Sequence, residues 1–139
     1  MTPKFNELYS NIIESNTSMF TCGYCVEFAI SLHKYTGWQL GIFKEIEQDD
    51  EDVYYSLIHA FCYAPNGMIA DVRGLRTKSK VIDNLLYADT TPVNQDTTKL
   101  SEEKTTEIDL ENESGYGLEE EALYKAALFI KNNKYLWNI

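Results

Sequence analysis

The sequence is poor in basic residues and in cysteine, and each shortage excludes a class of protein. Among 139 residues, 12 are Lys or Arg and 22 are Asp or Glu, which gives a formal net charge of -10. Because phosphate contacts need clustered Lys and Arg, this balance argues against binding to nucleic acid. Three cysteines without regular spacing indicate a reducing compartment rather than a disulfide-stapled secreted domain. We therefore expect a cytoplasmic location, either bacterial or in the cytosol of a host cell.

Long apolar runs are also missing. No stretch approaches the roughly 20 consecutive apolar residues of a membrane span, and the first residues lack the pattern of a secretory signal. No membrane association is expected. With 44% hydrophobic residues, the chain can still bury a core without disulfides or a structural metal. The expectation is a single domain over residues 1–139 that carries no cofactor and no metal.

The apolar pattern changes between helical and strand periods along the chain. A central, mostly apolar helix is predicted from Cys25 to Thr36, ending at Gly37, because Gly suits the left-handed cap position. The remaining predicted elements are helices over residues 4–14, 78–87 and 118–128, strands over 38–46, 54–63 and 68–72, and a small strand at Ile108 and Leu110. The predicted class is α+β, with the central helix packed on a small antiparallel sheet.

Two polar segments are interpreted as the surroundings of a cleft. Residues 45–52 contain six acids in eight positions, which predicts a solvated turn. Residues 88–107 are rich in Thr, Asp, Lys and Glu, which predicts a long loop or a mobile flap. Acidic flanks of this kind would bias the cleft toward a basic protein or peptide as partner.

Cys25 is the candidate nucleophile because it opens the central helix. A thiolate is favoured at a helix N-terminus beside an imidazole. Gly23 would allow close backbone approach there. Together with Tyr24, it is the candidate support for an oxyanion bound by the free N–H groups of the first helical turn.

His59 and Asp71 are the candidate base and orienting carboxylate. They stand six positions on either side of Pro65 in a predicted hairpin, which would make them cross-strand neighbours on one face of the sheet. A carboxylate in that position fixes the imidazole tautomer and stabilises the imidazolium. Each residue alone is more often structural, and it is their combination that predicts a Cys-His-Asp site.

The spacing Cys22-x-x-Cys25 leaves two alternatives. One is a zinc site completed by His33, His59 or Cys62, and the other is a thioredoxin-type redox pair. Zinc lacks a second paired motif, and the predicted alternation of the strand places Cys62 on the opposite face from His59. The redox alternative lacks a convincing strand before the motif.

At these residues the chain resembles the transglutaminase-like and papain-like cysteine hydrolase superfamily. Members open a helix with Gly-x-Cys-x-x-aromatic-Ala and end it at a Gly, and a His-Ala-aromatic strand, a Gly-containing turn and an Asp follow. The corresponding positions here are residues 23–29, Gly37, residues 59–61, residues 66–67 and Asp71. The resemblance covers about residues 21–74. Asp71 is followed by Val72, where the transglutaminase-like pattern often has Pro or Thr, and the Trp or Gln of the family's oxyanion hole has no secure match.

The resemblance implies a papain-like or transglutaminase-like core with Cys25 as nucleophile, His59 as base and Asp71 as orienter. It implies acyl transfer on a protein or peptide amide, by peptide hydrolysis, glutamine deamidation or transamidation, and by analogy a bacterial effector or a phage-encoded factor. The alternative hypothesis is a non-enzymatic acidic protein or inhibitor that binds a basic surface on a partner protein.

Overall fold

The computed structural model describes residues 24–49, 52–87, 99–114 and 117–139. In this part of the chain, helices and an antiparallel sheet form an α+β structure, as predicted. The elements in order are α1 (Cys25–Thr36), β1 (Gln39–Asp49), β2 (Asp52–Tyr63), β3 (Ile69–Asp71), β4 (Gly74–Arg76), α2 (Lys78–Tyr87), β5 (Lys99–Thr105), α3 (Glu107–Ser114), α4 (Glu120–Asn132) and the 3-10 helix η1 (Lys134–Trp137). The helix predicted over residues 4–14 lies outside the described residues.

Helix α1 is the centre of the core, as its composition predicts. Its first eight residues, 25–32, are all buried. The helix ends where Gly37 adopts a φ of 77° and donates its N–H to the carbonyl of His33 over 2.7 Å, a left-handed cap that a Cβ would strain. On its sheet side α1 packs against residues of β1 and β2, among them Leu40, Ile42, Ala60 and Cys62.

Helix α4 and η1 cover the other side of α1. Phe28 of α1 contacts Phe129 of α4 and Trp137 of η1, with ring centroids 6.0 and 5.7 Å apart. Ser31 adds a hydrogen bond from its hydroxyl to the carbonyl of Leu123. The α1 helix therefore lies between the sheet and the C-terminal helices.

The five strands run in the order β4-β3-β2-β1-β5, and all neighbours are antiparallel. One face of the sheet carries α1. The opposite face carries a second apolar cluster in which Phe43, Phe61 and Ile69 meet Val81 of α2. Helix α2 spans the residues predicted for it.

A β-bulge interrupts the alternation of β2. Phe43 pairs with His59 but Lys44 pairs with Leu57, so Ile58 is the extra residue. Leu57 consequently packs with the α1 side of the sheet, whereas Phe61 belongs to the α2 side. Strict alternation would place Leu57 on the face of His59 and Phe61, but the one inserted residue reverses the face of everything beyond it.

The two polar segments are more regular than predicted. Strand β1 continues to Asp49 and β2 begins at Asp52, so the prediction of a turn is wrong for residues 45–49 and for Asp52, while residues 50–51 lie outside the described part. Residues 99–105 form edge strand β5 on β1, so a loop over residues 99–107 is also wrong. Residues 88–98 lie outside the described part.

One smaller prediction also fails, and one strand was not predicted. Ile108 and Leu110 belong to helix α3, with Leu110 buried and Ile108 exposed, rather than to a strand. The short strand β4 after Asp71 was not predicted, and it pairs with β3 through a tight turn in which Gly74 has a φ of 101°.

Among the described residues, no helix combines the length and the apolar character that crossing a bilayer requires.

Candidate active site

Cys25 is the first residue of α1, and its side chain is buried beneath the surface at 7% exposure. This position places the residue at the end of the helix where the first backbone N–H groups have no acceptor within the helix. The positive end of the helix dipole favours a negative charge there. Cys25 is therefore located where a thiolate would be stabilised.

His59 joins Cys25 to Asp71. Its side chain is fully buried and lies 2.9 Å from Asp71, with Nε2 donating to Oδ2. A second side-chain hydrogen bond links His59 to Cys25. Because Nε2 faces the carboxylate, Nδ1 is the ring nitrogen left for the sulfur. The ring also stacks on Phe61, with centroids 6.2 Å apart, which fixes its plane.

His59 and Asp71 lie close together, but the register of their strands differs from the predicted one. Cys62 pairs with Ala70 and Tyr63 with Ile69, so the hairpin is centred on residue 66 rather than 65. Extending this register places Asp71 opposite Phe61 and makes His59 its diagonal neighbour. The prediction that His59 lies directly opposite Asp71 is wrong, yet both residues stay on one face because the shift equals two residues along the partner strand.

Asp71 is held by four groups from different parts of the chain. The N–H of Arg73 donates to Oδ1 over 2.9 Å, and Arg76 Nη2 and His59 Nε2 both donate to Oδ2. The indole N–H of Trp137 donates to the backbone carbonyl of Asp71 over 2.7 Å. The carboxylate is thus fixed in position by β2, by the β3–β4 turn and by β4, and the C-terminal 3-10 helix holds the backbone of the same residue.

These contacts set the protonation of the pair. Burial opposes the charged imidazole, but hydrogen bonds to Asp71 and Cys25 and electrostatic attraction to both residues outweigh it and raise the pKa of His59 to about 9. Burial likewise opposes the Asp71 carboxylate, but its hydrogen bond and attraction to His59, with the charge of Arg76, hold the pKa of Asp71 below its usual range. Near neutral pH the site therefore contains an imidazolium beside a carboxylate.

The predicted supports of the oxyanion are Gly23 and Tyr24. Gly23 lies outside the described residues. Tyr24 directly precedes α1, and its hydroxyl donates to the carboxylate of Glu119, which raises the pKa of Tyr24. Since the phenol is engaged toward α4, a contribution of Tyr24 to an oxyanion site would come from its backbone.

Cys62 and His33 do not join the site. Cys62 lies on the opposite face of β2, where its thiol donates to the carbonyl of Ala29 over 3.3 Å and burial raises its pKa to about 12. His33 lies at the far end of α1 with Nδ1 2.6 Å from the carbonyl of Trp38. Cys22 lies outside the described residues. Within the described ranges no three His, Cys, Asp or Glu side chains are placed to hold a metal ion.

A polar cavity of about 460 Å³ lies between β1, β5 and α3, away from these residues. Its charged lining is largely self-paired, because Lys44 contacts Glu113 at 2.6 Å and Glu103 at 3.5 Å. It includes none of the predicted site residues. We therefore do not connect it with the chemistry of Cys25.

Comparison with protein-family models, curated proteins and solved structures finds no match for this chain. A thiol at a helix N-terminus, an imidazole bonded to it and a carboxylate behind the imidazole can together generate a nucleophile and deliver a proton. Arg76 and Trp137 add hydrogen bonds to the carboxylate and to the backbone carbonyl of Asp71, respectively. Neither residue is predicted from the sequence, where the one available signal is that Arg76 follows Asp71 closely along the chain.

Proposed function

We propose that this protein catalyses cysteine-dependent acyl transfer on the amide of a protein or peptide, with Cys25 as nucleophile, His59 as acid and base, and Asp71 as orienter. The observation that carries the proposal is the position of His59, whose ring is hydrogen-bonded to Cys25 on one side and to Asp71 on the other. We also propose that the α1 helix and the sheet represent a papain-like or transglutaminase-like core.

The first half of the reaction forms a thioester. The Cys25 thiolate attacks the amide carbon, a C–S bond forms, and the carbonyl electron pair moves to oxygen, where N–H groups at the start of α1 would stabilise it. When the electron pair returns, the C–N bond breaks and the leaving nitrogen takes a proton from the His59 imidazolium. A His59 pKa of about 9 keeps that proton available near neutral pH.

The second half releases the acyl group. Neutral His59 takes a proton from water or from a primary amine, which attacks the thioester carbon while the sulfur leaves as thiolate. Water gives hydrolysis of a peptide bond or deamidation of glutamine, and an amine gives transamidation. Throughout, the Asp71 carboxylate holds Nε2 and stabilises the imidazolium.

The excess of acidic residues supports a basic protein or peptide as substrate. The overall charge is -10, and a field of this sign attracts cationic partners and repels anionic ones. We therefore propose to screen glutamine-containing peptides of equal length with basic and acidic flanks. The screen would follow ammonia release, new amino termini and incorporation of a labelled amine, with Cys25→Ala as the inactive control.

The experiment that tests the site needs no substrate. We would measure the rate of Cys25 alkylation by iodoacetamide against pH in a Cys22→Ser background. We expect Cys25 to react at about pH 7 at least ~10-fold faster than Cys62, whose pKa of about 12 leaves almost no thiolate. His59→Gln should reduce the Cys25 rate by about 10-fold or more, because it removes the imidazolium that stabilises the thiolate.

His33→Gln is the matched control, since it changes the second histidine at the other end of α1 and should leave the rate unchanged. A Cys25 that reacts as slowly as Cys62 and is insensitive to His59→Gln would contradict the proposal. The acidic interaction protein would then be the leading hypothesis, to be tested by charge reversal at Glu45 and Asp49.

A further inference from the structure

Arg76 contacts the carboxylate oxygen that also faces His59. Its Nη2 donates to Oδ2 of Asp71, and the same oxygen is 2.9 Å from Nε2 of His59. The Arg76 side chain is 12% exposed, and its Nε is buried without a hydrogen-bond partner among the described residues. The contact to Asp71 is therefore the one that orients the guanidinium.

The surroundings make this contact an electrostatic one. The Asp71 side chain is only 3% exposed, and α1 contributes Cys25 to the same cluster while β2 contributes His59. Phe61, whose ring stacks on His59, belongs to the apolar cluster on the α2 side of the sheet, and that cluster contains no charged side chain. A carboxylate in such an environment stays ionised only with cations beside it.

We propose that Arg76 is a positioning residue of the site that acts through Asp71. It keeps the carboxylate ionised inside the protein and holds Oδ2 at the distance that His59 requires. Because both cations share one oxygen, Arg76 also limits how strongly Asp71 stabilises the imidazolium, and so it sets the pH at which His59 gives up its proton. Its relevance to catalysis depends on the proposed function, whereas its effect on His59 does not.

The test is an NMR titration of the imidazole resonances, which is practical because the chain contains two histidines. In Arg76→Met a positive charge next to His59 disappears, so the midpoint of the His59 titration should rise by about one pH unit or more. Arg76→Lys keeps a charge but replaces the planar fork with a single nitrogen, so about half of that rise is expected. His33 serves as the internal reference and should not move.

Arg73→Met is the matched control. Arg73 is exposed and contacts Asp71 through its backbone N–H rather than its side chain, so its removal should leave the His59 midpoint in place. Equal midpoints in Arg76→Met and Arg73→Met would overturn the proposal, since a merely structural Arg76 would affect unfolding without affecting the titration. Should Arg76→Met fail to fold, an unshifted His59 in Arg76→Lys would overturn it.

The alkylation of Cys25 separates this inference from the proposed function. A shifted His59 in a protein whose Cys25 is unreactive would sustain the role of Arg76 and refute acyl transfer. A reactive Cys25 that depends on His59, with no shift in the Arg76 variants, would refute the role of Arg76 alone. In a reactive wild type, Arg76→Met should move the pH profile of alkylation together with the His59 midpoint.

Discussion

Asp71→Asn removes one negative charge from the site at nearly constant shape, and its consequence for His59 can be worked out in sign and size. In the native protein the hydrogen bond and charge of Asp71 act against the burial of His59, and with Cys25 they raise its pKa to about 9 from an ordinary 6.5. Loss of one close carboxylate typically lowers the pKa of a neighbouring base by about two units. We therefore expect a His59 pKa near 7 in the variant.

The shift has a consequence for stability. A group whose folded pKa is raised contributes stability that is fully present below its unfolded pKa and is lost as the pH rises through its folded pKa. In the wild type this window extends from about 6.5 to about 9. A decrease of two units in the folded-state pKa of His59 corresponds to a loss of about 3 kcal/mol of stability. The difference in unfolding free energy between wild type and Asp71→Asn should therefore be largest at about pH 6 and smaller by about 3 kcal/mol at about pH 10.

Two measurements check this prediction. The first is the NMR titration of His59, and the second is urea unfolding followed by circular dichroism at both pH values. Asp83, an exposed residue of α2, provides the control variant Asp83→Asn. This variant should lower neither the His59 midpoint nor the free energy of unfolding. A His59 midpoint that stays within half a unit of the wild type, or a stability difference that is the same at both pH values, would refute the reasoning.

Two other substitutions test the packing that supports the site. Trp137→Phe keeps the ring beside Phe28 but removes the N–H bound to the Asp71 carbonyl, so urea unfolding should show a loss of about 1–3 kcal/mol. A loss below ~0.5 kcal/mol would mean that this hydrogen bond does not hold Asp71. Gly41→Ala places a Cβ 2.6 Å from the rings of Phe61 and Tyr63, and crowding of this kind should cost about 1–3 kcal/mol in the same assay. An unchanged stability would show that both rings move freely.

The parts of the fold that could be predicted are those in which local sequence and burial agree. Helix α1 is apolar around most of its circumference and stops at a glycine, so its ends follow from the sequence. The closeness of His59 and Asp71 was predictable from a hairpin with an Asn-Gly turn, even though the register was wrong, because a shift of two residues preserves the face. Between the bulge at Ile58 and the hairpin turn, the face on which a side chain lies is therefore a more robust prediction than its cross-strand partner.

Other parts could not be predicted because their stability comes from distant residues. Strand β5 carries Glu102, Glu103 and Lys104, a composition that indicates a loop, yet it pairs along an edge where these charged side chains reach solvent. Trp137 reaches Asp71 across 66 positions of sequence, and no local pattern indicates such a contact. Arg76 belongs to a strand of three residues, too short for its alternation to be recognised.

The buried charges around Asp71 would help the proposed nucleophile, because they would let a thiolate at Cys25 and an imidazolium at His59 coexist away from water. Asp71 and Arg76 already cancel one another on the strand side of the site. Transfer of a proton from Cys25 to His59 therefore adds a dipole to the interior rather than a net charge, and an ion pair with complementary partners is far less costly to bury than a single ion. The negative end of that dipole would lie at the start of α1, where the helix favours it. The partners around Asp71 are thus as much a part of the proposed nucleophile as Cys25 itself.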